Sequence, residues 1–225
     1  MSLPVSVIIP TLNEEAWIGQ AIESAFAAGA AEVIVCDGGS TDATTDRAAF
    51  LGARIVECES KRARQLNRGA EAARSSTLIF LHADTLLPAG AAATVLDALA
   101  RGAVFGGFRL RFAERSLRLR CVEAMINLRT LLTRCPWGDQ AQFIDREVFL
   151  ASGGYADVPL MEDYELAMRM KRRGGPVMVL PAKVVTSGRR FLGNGVLRTA
   201  LMNWRIIAAW HMGRDPEELA RMYRR

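Results

Sequence analysis

The residues of this 225-residue chain with the clearest capacity for chemistry are carboxylates placed where strand patterns end. Asp37 closes the run Glu32–Asp37 (EVIVCD) and is followed by Gly38-Gly39-Ser40-Thr41-Asp42. Asp84 stands two residues past His82, at the end of Thr77–His82 (TLIFLH). Asp139 lies in Trp137-Gly138-Asp139-Gln140, and Glu162-Asp163 opens a helical pattern. A carboxylate at a strand end can accept from a nucleobase imide or ligate a hard cation that bridges a diphosphate. An acid ahead of a helix more often caps it or meets its dipole, and that plainer role suits Glu15 and Asp42. Capping does not account for Asp37, Asp84 and Asp163 together, in this order and beside glycines.

The elements that must hold these acids follow from periodicity. Val5–Ile9, Glu32–Asp37, Ala53–Glu57 and Thr77–His82 read as strands. Between them, Glu14–Ala28, a segment capped by Ser40 or Thr41 and running to about Leu51, and Arg62–Ala73 read as helices. The alternation predicts an α/β fold with a single, mostly parallel central sheet flanked by helices. Ligands of such sheets bind at the carboxyl ends of the strands, where Pro10–Glu15, Asp37–Asp42 and His82–Thr85 are all polar. Farther on, Ala103–Phe112 is a strand interrupted by Gly106-Gly107, a mark of close backbone approach or a bulge. Leu117–Leu132 is an amphipathic helix with apolar residues at 117, 121, 125, 128 and 132. Ala141–Ile144 is a short strand, Arg146–Ala151 a helical turn, Glu162–Arg173 a helix and Val177–Thr186 the final strand. Val196–His211 is a C-terminal amphipathic helix with Leu197, Leu201, Trp204, Ala208 and His211 along one side, expected to be core packing or a homodimer contact ahead of a membrane surface. His211 is expected to be packed and not catalytic.

Composition and missing motifs narrow the classes. Half the residues are hydrophobic and 24% are charged, which excludes disordered and fibrous chains. No dinucleotide-binding glycine motif, P-loop, nucleophile elbow or HExxH is present. The formal charge of +5 sits in residues 189–225, where eight arginines face three acids. Without an aromatic-and-basic reading surface, nucleic acid is not an expected partner. No stretch is long and uncharged enough for a membrane span and no signal peptide is evident, so a cytoplasmic protein is expected, peripheral to the membrane at most. Cys36, Cys58, Cys121 and Cys135 have no C-x-x-C spacing and read as free thiols.

Taken together, Val5–Glu15 (VSVIIPTLNEE), Asp37–Asp42 (DGGSTD), His82-Ala83-Asp84 and Met161-Glu162-Asp163 resemble glycosyltransferase family 2, whose fold is GT-A. Arg62–Ala70 (RARQLNRGA), His82–Thr85 (HADT), Trp137–Gln140 (WGDQ) and Ser187–Arg190 (SGRR) further resemble the small bacterial branch associated with radical-SAM and arsenosugar biosynthesis genes. The resemblance implies a transferase domain over residues 1–190 and a helical extension over 191–225 packed on it. It implies an inverting enzyme that moves a sugar from a nucleotide donor, UDP in preference to GDP, to the hydroxyl of a small-molecule or lipid-linked acceptor.

The residue roles come with the resemblance. Pro10, Thr11, Asn13, Glu14, Asp37 and Gly38 would hold the nucleoside, and Asp84 with His82 would hold Mn²⁺ or Mg²⁺ across the diphosphate beside Ala83. Arg189 and Arg190 would meet the leaving diphosphate, and Lys61, Arg62 and Arg64 are either phosphate ligands or a solvated helix start. Gln65 is a further donor-binding candidate, and Asp139 and Gln140 would line the donor sugar or acceptor pocket. Asp163 would be the general base, with Glu162 as its substitute. This chain departs from the family pattern in two places: His82 replaces the first acid of D-x-D, and Ser187-Gly188-Arg189-Arg190 stands where many relatives supply a metal-ligand histidine. Two alternatives stay open. One is a nucleotidyltransferase, which the acidic, glycine-free Pro10–Glu15 loop disfavours; the other is a catalytically degenerate sugar-nucleotide-binding or membrane-surface adaptor.

Overall fold

The structure, a computed structural model, describes residues 4–224, and of Arg224 only the backbone. One eight-stranded sheet runs in the order β3-β2-β1-β4-β7-β6-β8-β5. Its strands are β1 (Ser6–Thr11), β2 (Glu32–Asp37), β3 (Arg54–Glu57), β4 (Thr77–Phe80), β5 (Thr85–Leu86), β6 (Phe105–Phe112), β7 (Phe143–Asp145) and β8 (Val177–Thr186). The β3-β2-β1-β4 half is parallel, as is the β6-β8 pair, whereas β7 and β5 join their neighbours antiparallel. This is the α/β architecture expected.

The pleat distributes the β1 side chains between two cores. Val5, Val7 and Ile9 face α1 (Glu15–Ala27), α2 (Thr44–Phe50) and α4 (Ala91–Ala100), while Ile8 faces the opposite layer. That layer holds α3 (Arg62–Ala72), α6 (Arg146–Ala151), α7 (Glu162–Arg172) and parts of α9 (Val196–His211) and α10 (Pro216–Arg224). Helix α3 lies so close to the sheet that a Cβ on Gly69 would come within 2.4 Å of Ile8 Cγ2 and 2.7 Å of Cys36 Sγ. Gly106 fulfils the close approach predicted for it, since its Cβ would meet Met178 O and a Phe143 ring carbon at 2.3 Å. The register shift of the β6-β8 pair falls two residues later, at Phe108/Arg109.

Several expectations need correction. Neither Ser40 nor Thr41 caps α2, which starts at Thr44; the Ser40 hydroxyl donates to Asp37, and the Thr41 N–H donates to Asn13 Oδ1. His82 lies beyond β4, which ends at Phe80. Ala141 has a positive φ of 46°, so the strand expected from there begins at Phe143. Helices α4, α8 (Arg189–Asn194) and α10 were not legible as elements, nor was β5. Between α8 and α9, Gly195 has φ +84° and open space where a side chain would go.

The two amphipathic helices turn over relative to expectation. On α9 it is Thr199, Ile206 and Ala209 that are buried, while Leu197, Leu201 and Trp204 face solvent. On α5 (Leu117–Thr133), Leu119, Val122 and Thr130 are buried and the 117/125/128/132 stripe is exposed. His211 is exposed at the end of α9 and meets Tyr164, its Nε2 2.7 Å from the hydroxyl and its ring edge-on to the Tyr164 ring at 5.8 Å. All four cysteines are free.

Candidate active site

A cleft of about 500 Å³ opens at the carboxyl ends of β1 and β4. Its polar side comprises Pro10, Thr11 and Glu14 from the β1–α1 loop, Arg62 and Gln65 from α3, and His82, Ala83 and Asp84 after β4. Asp139, Asp163, Arg189 and Arg190 complete that side. Residues distant in sequence therefore meet where a parallel sheet places ligands.

Each carboxylate has a different environment. Asp84 is raised above its ordinary pKa by burial, opposed by the Arg189 guanidinium, whose Nε lies 3.1 Å from Asp84 Oδ2. Arg189 also donates from Nη2 to Glu14, at 3.0 and 3.2 Å to its two oxygens, so one cation joins two loops. Asp139 has a buried Oδ1 without a hydrogen-bond partner. Burial pushes its pKa up to about 6, with Arg129 opposing and Asp163 and Asp84 adding to the rise. Asp163 is fixed at both oxygens: Gly138 N–H donates to Oδ2 at 2.6 Å and Tyr164 N–H to Oδ1 at 2.7 Å. Gly138 is the one residue type that fits there, because a Cβ would come within 2.9 Å of His82 Nε2 and 3.0 Å of Asp163 Oδ2.

His82 is held neutral, its pKa lowered to about 3 by burial and by the positive charges of Arg62 and Arg189. A neutral imidazole beside a carboxylate is a donor pair suited to Mn²⁺. Among the described residues no group of three or more histidine, cysteine or acidic side chains is assembled for an ion. An ion held here would take its remaining ligands from the bound diphosphate and water, as Mg²⁺- and Mn²⁺-type sites commonly do.

Five of the anticipated residues stand outside the cleft wall. Asp37 is buried behind it, accepting from Thr11 Oγ1 at 3.2 Å and from the N–H groups of Gly39 and Ser40 at 2.9 and 2.8 Å. Asn13, at φ 55°, and Gly38 tie the β1 and β2 loops together. Gln140 is fully buried, its Oε1 accepting from Thr130 Oγ1 at 2.9 Å and its Nε2 donating to Phe108 O at 2.9 Å. Glu162 is also buried, 3.7 Å from Arg62 Nη1, and pushed up to about 6 by burial and by Asp163. Gln65, by contrast, both lines the cleft and supports it, donating at 2.8 Å to Thr11 O and to Cys36 O.

Sequence reasoning missed the opposite wall. Val122, Met125, Ile126 and Arg129 of α5 and Ala200, Asn203, Trp204 and Ile207 of the neighbouring α9 form it together. Arg129 stacks over Trp137 at 3.6 Å and is the nearest opposing charge to Asp139. Positions 122, 126 and 129 form a helical stripe reading Val-Ile-Arg, and an arginine in such a stripe was the available signal. Arg190 stacks over Tyr223 at 3.7 Å, bringing α10 to the same place.

Residues 6–156 match the family described as Glycosyl transferase family 2. The chain belongs to this family. Within it, the chain is 35% identical over 96 residues to a glucosyl-3-phosphoglycerate synthase of Mycolicibacterium paratuberculosis, covering 37% of this chain and 29% of that one. It is 36% identical over 117 residues to a PGL/p-HBAD biosynthesis glycosyltransferase of Mycobacterium tuberculosis, covering 48% and 43%. The alignments thus span less than half the length of these relatives.

The fold is similar to that of glucosyl-3-phosphoglycerate synthase from Mycobacterium tuberculosis, solved with Mn²⁺, UDP and glucosyl-3-phosphoglycerate. That likeness has a TM-score of 0.63 at 22% identity and covers 83% of this chain and 73% of that one. It is likewise similar to the mannosyltransferase PcManGT from Pyrobaculum calidifontis, solved with GDP-Man and Mn²⁺, at a TM-score of 0.68, 19% identity and coverage of 94% and 62%. These likenesses establish the fold as GT-A. Asp163, Arg189, Arg190 and the α9 wall all lie beyond the stretch matched to the family.

Proposed function

We propose that this family 2 member transfers a glycosyl group from a nucleotide sugar to an acceptor hydroxyl, with inversion at the anomeric carbon. The observation that carries the reading is the convergence of Asp84, Asp139 and Asp163 with Arg189, Arg190 and a neutral His82 in one cleft at the strand ends. The donor is a UDP-sugar in preference to a GDP-sugar. The UDP and Mn²⁺ bound by the mycobacterial synthase support this choice, and GDP-Man in the archaeal enzyme keeps the alternative in the test.

Asp84 and His82 would hold a divalent cation, which supplies charge neutralisation to the departing nucleoside diphosphate. Thr11, Glu14, Arg62 and Gln65 line the donor side, while Asp37, Asn13 and Gly38 act from behind by holding the two loops in register. Asp163 takes the proton from the acceptor hydroxyl as its oxygen attacks the anomeric carbon and the bond to the diphosphate oxygen breaks. The two N–H donors on Asp163 aim its carboxylate without occupying all of its lone pairs. Glu162 does not reach the cleft and serves as the partner of Arg62. Arg189 and Arg190 add charge-assisted contacts to the leaving phosphates.

Residues 1–190 form the transferase unit on this reading, and 191–225 a helical extension that supplies one wall. The narrower likeness to the radical-SAM and arsenosugar-associated branch is supported by the meeting of its Arg62–Ala70, His82–Thr85, Trp137–Gln140 and Ser187–Arg190 segments around one site. A thermal-shift panel of UDP-, GDP- and dTDP-sugars with and without Mn²⁺ tests the donor, because a ligand of the folded state raises the melting temperature. Stabilisation by none of them, under conditions where Mn²⁺ is present, overturns the proposal.

A further inference from the structure

Helices α5 and α9 turn an apolar face to solvent, of which only Met125 and Trp204 also line the cleft. On α5, Leu117, Met125, Leu128 and Leu132 recur at helical spacing and are between 50% and 81% exposed. On α9, Leu197, Leu201 and Trp204 are between 56% and 78% exposed. The two stripes are continuous. At one end Leu117 and Val196 border a shared shallow groove beside Leu192, and at the other Met125 and Trp204 border the mouth of the cleft. Apolar residues scattered singly over a surface need no explanation, but a contiguous patch of this kind marks a contact.

Charge identifies the occupant. Arg118 and Arg120 of α5 and Arg205 of α9 are exposed and have no ion-pair partner among the described residues. The single acid on the two helices, Glu123, is held by Lys183 Nζ at 2.8 Å. An apolar stripe with a tryptophan and arginines beside it, and no uncompensated acid, is the composition of a helix that lies in a membrane interface. A second copy of the chain fits less well, because a two-fold contact sets the same patch against itself and brings like charges together. No helix among the described residues is long and apolar enough to cross a membrane, so contact would be with the surface.

We infer that the α5/α9 face docks on an anionic lipid bilayer, with the mouth of the cleft at the lipid headgroups. The docking stands on the exposed face and its charge and does not depend on the transferase reading.

Flotation of the full chain with phosphatidylcholine vesicles, with and without about 30% anionic phosphatidylglycerol, tests it. The wild type is expected to float with the anionic vesicles, to bind neutral ones at least about tenfold more weakly, and to be released as salt screens the arginines. Leu128→Glu/Leu201→Glu should weaken binding to anionic vesicles by at least about tenfold, since each charge would have to enter the apolar boundary. Arg118→Glu/Arg205→Glu should do the same. Melting temperature measured on each variant establishes that it is folded. Absence of binding by the wild type, or binding unaffected by both variants, overturns the inference. A wild-type dimer in sedimentation that Leu128→Glu/Leu201→Glu converts to monomer also overturns it, by assigning the face to a second copy.

Discussion

Arg189 and Asp84 form an ion pair across the mouth of the cleft, Nε to Oδ2 at 3.1 Å, and the same guanidinium reaches Glu14. The arginine therefore occupies a carboxylate that a divalent cation would also use. Arg189→Met should tighten Mn²⁺ binding about fivefold, the order of one partly exposed ion pair, while lowering turnover through loss of a phosphate contact. Calorimetric titration of Mn²⁺ into both proteins checks this. Unchanged affinity would show that the arginine and the ion do not compete.

Asp163→Asn separates binding from chemistry. The amide can still accept from Gly138 N–H but cannot take a proton, so turnover should fall by about 10²–10⁴. Stabilisation by the donor nucleotide should be retained. Normal turnover by this variant would remove Asp163 as the base.

The buried Asp139, with its Oδ1 unpartnered, makes stability depend on pH. Its pKa is raised on folding from the ordinary carboxylate range to about 6. The folded state therefore binds the proton more tightly, and stability from this group falls as pH rises through that window. Asp139→Asn abolishes the titration. Its melting temperature relative to wild type should climb between about pH 4 and pH 6 and then level off, with a gain of up to about 3 kcal/mol. A difference independent of pH would contradict the assignment.

Gly106→Ala tests the close approach in the sheet. The added methyl would fall 2.3 Å from Met178 O and from a Phe143 ring carbon, and neither backbone nor a packed ring can yield cheaply. A loss of about 2–3 kcal/mol in urea denaturation is expected. A neutral result would mean that β6 and β7 can separate without cost.

The parallel half of the sheet was legible because β1, β2 and β4 are buried on both faces and read as continuous apolar runs. The acids at their ends were legible for the same reason, since a polar residue stops such a run conspicuously. What could not be read was direction. The α5 pattern at 117, 125, 128 and 132 is a valid amphipathic stripe, yet the core selects the other side through Leu119 and Val122. Periodicity locates a stripe without saying whether protein, lipid or solvent meets it. Asp37 and Gln140 were identified as special but assigned to the cleft, when their hydrogen bonds place them one layer behind. A supporting residue and a contacting residue leave the same mark in sequence. Arg129 was overlooked because arginines also stand at 118 and 120 of the same helix, and one arginine among arginines carries little contrast.

Gly195, with a positive φ and open space around it, joins α8 to α9 without being wedged by any neighbour. After it, Thr199, Ala200, Asn203, Trp204 and Ile207 of α9 and Tyr223 of α10 line the cleft, whereas Asp84, Asp139, Asp163, Arg189 and Arg190 all precede it. The joint is thus a natural crossover point. Helices exchanged there would re-line the far side of the cleft and leave Asp84, Asp139, Asp163 and Arg189 in place, while Arg190 would lose the Tyr223 ring on which it stacks.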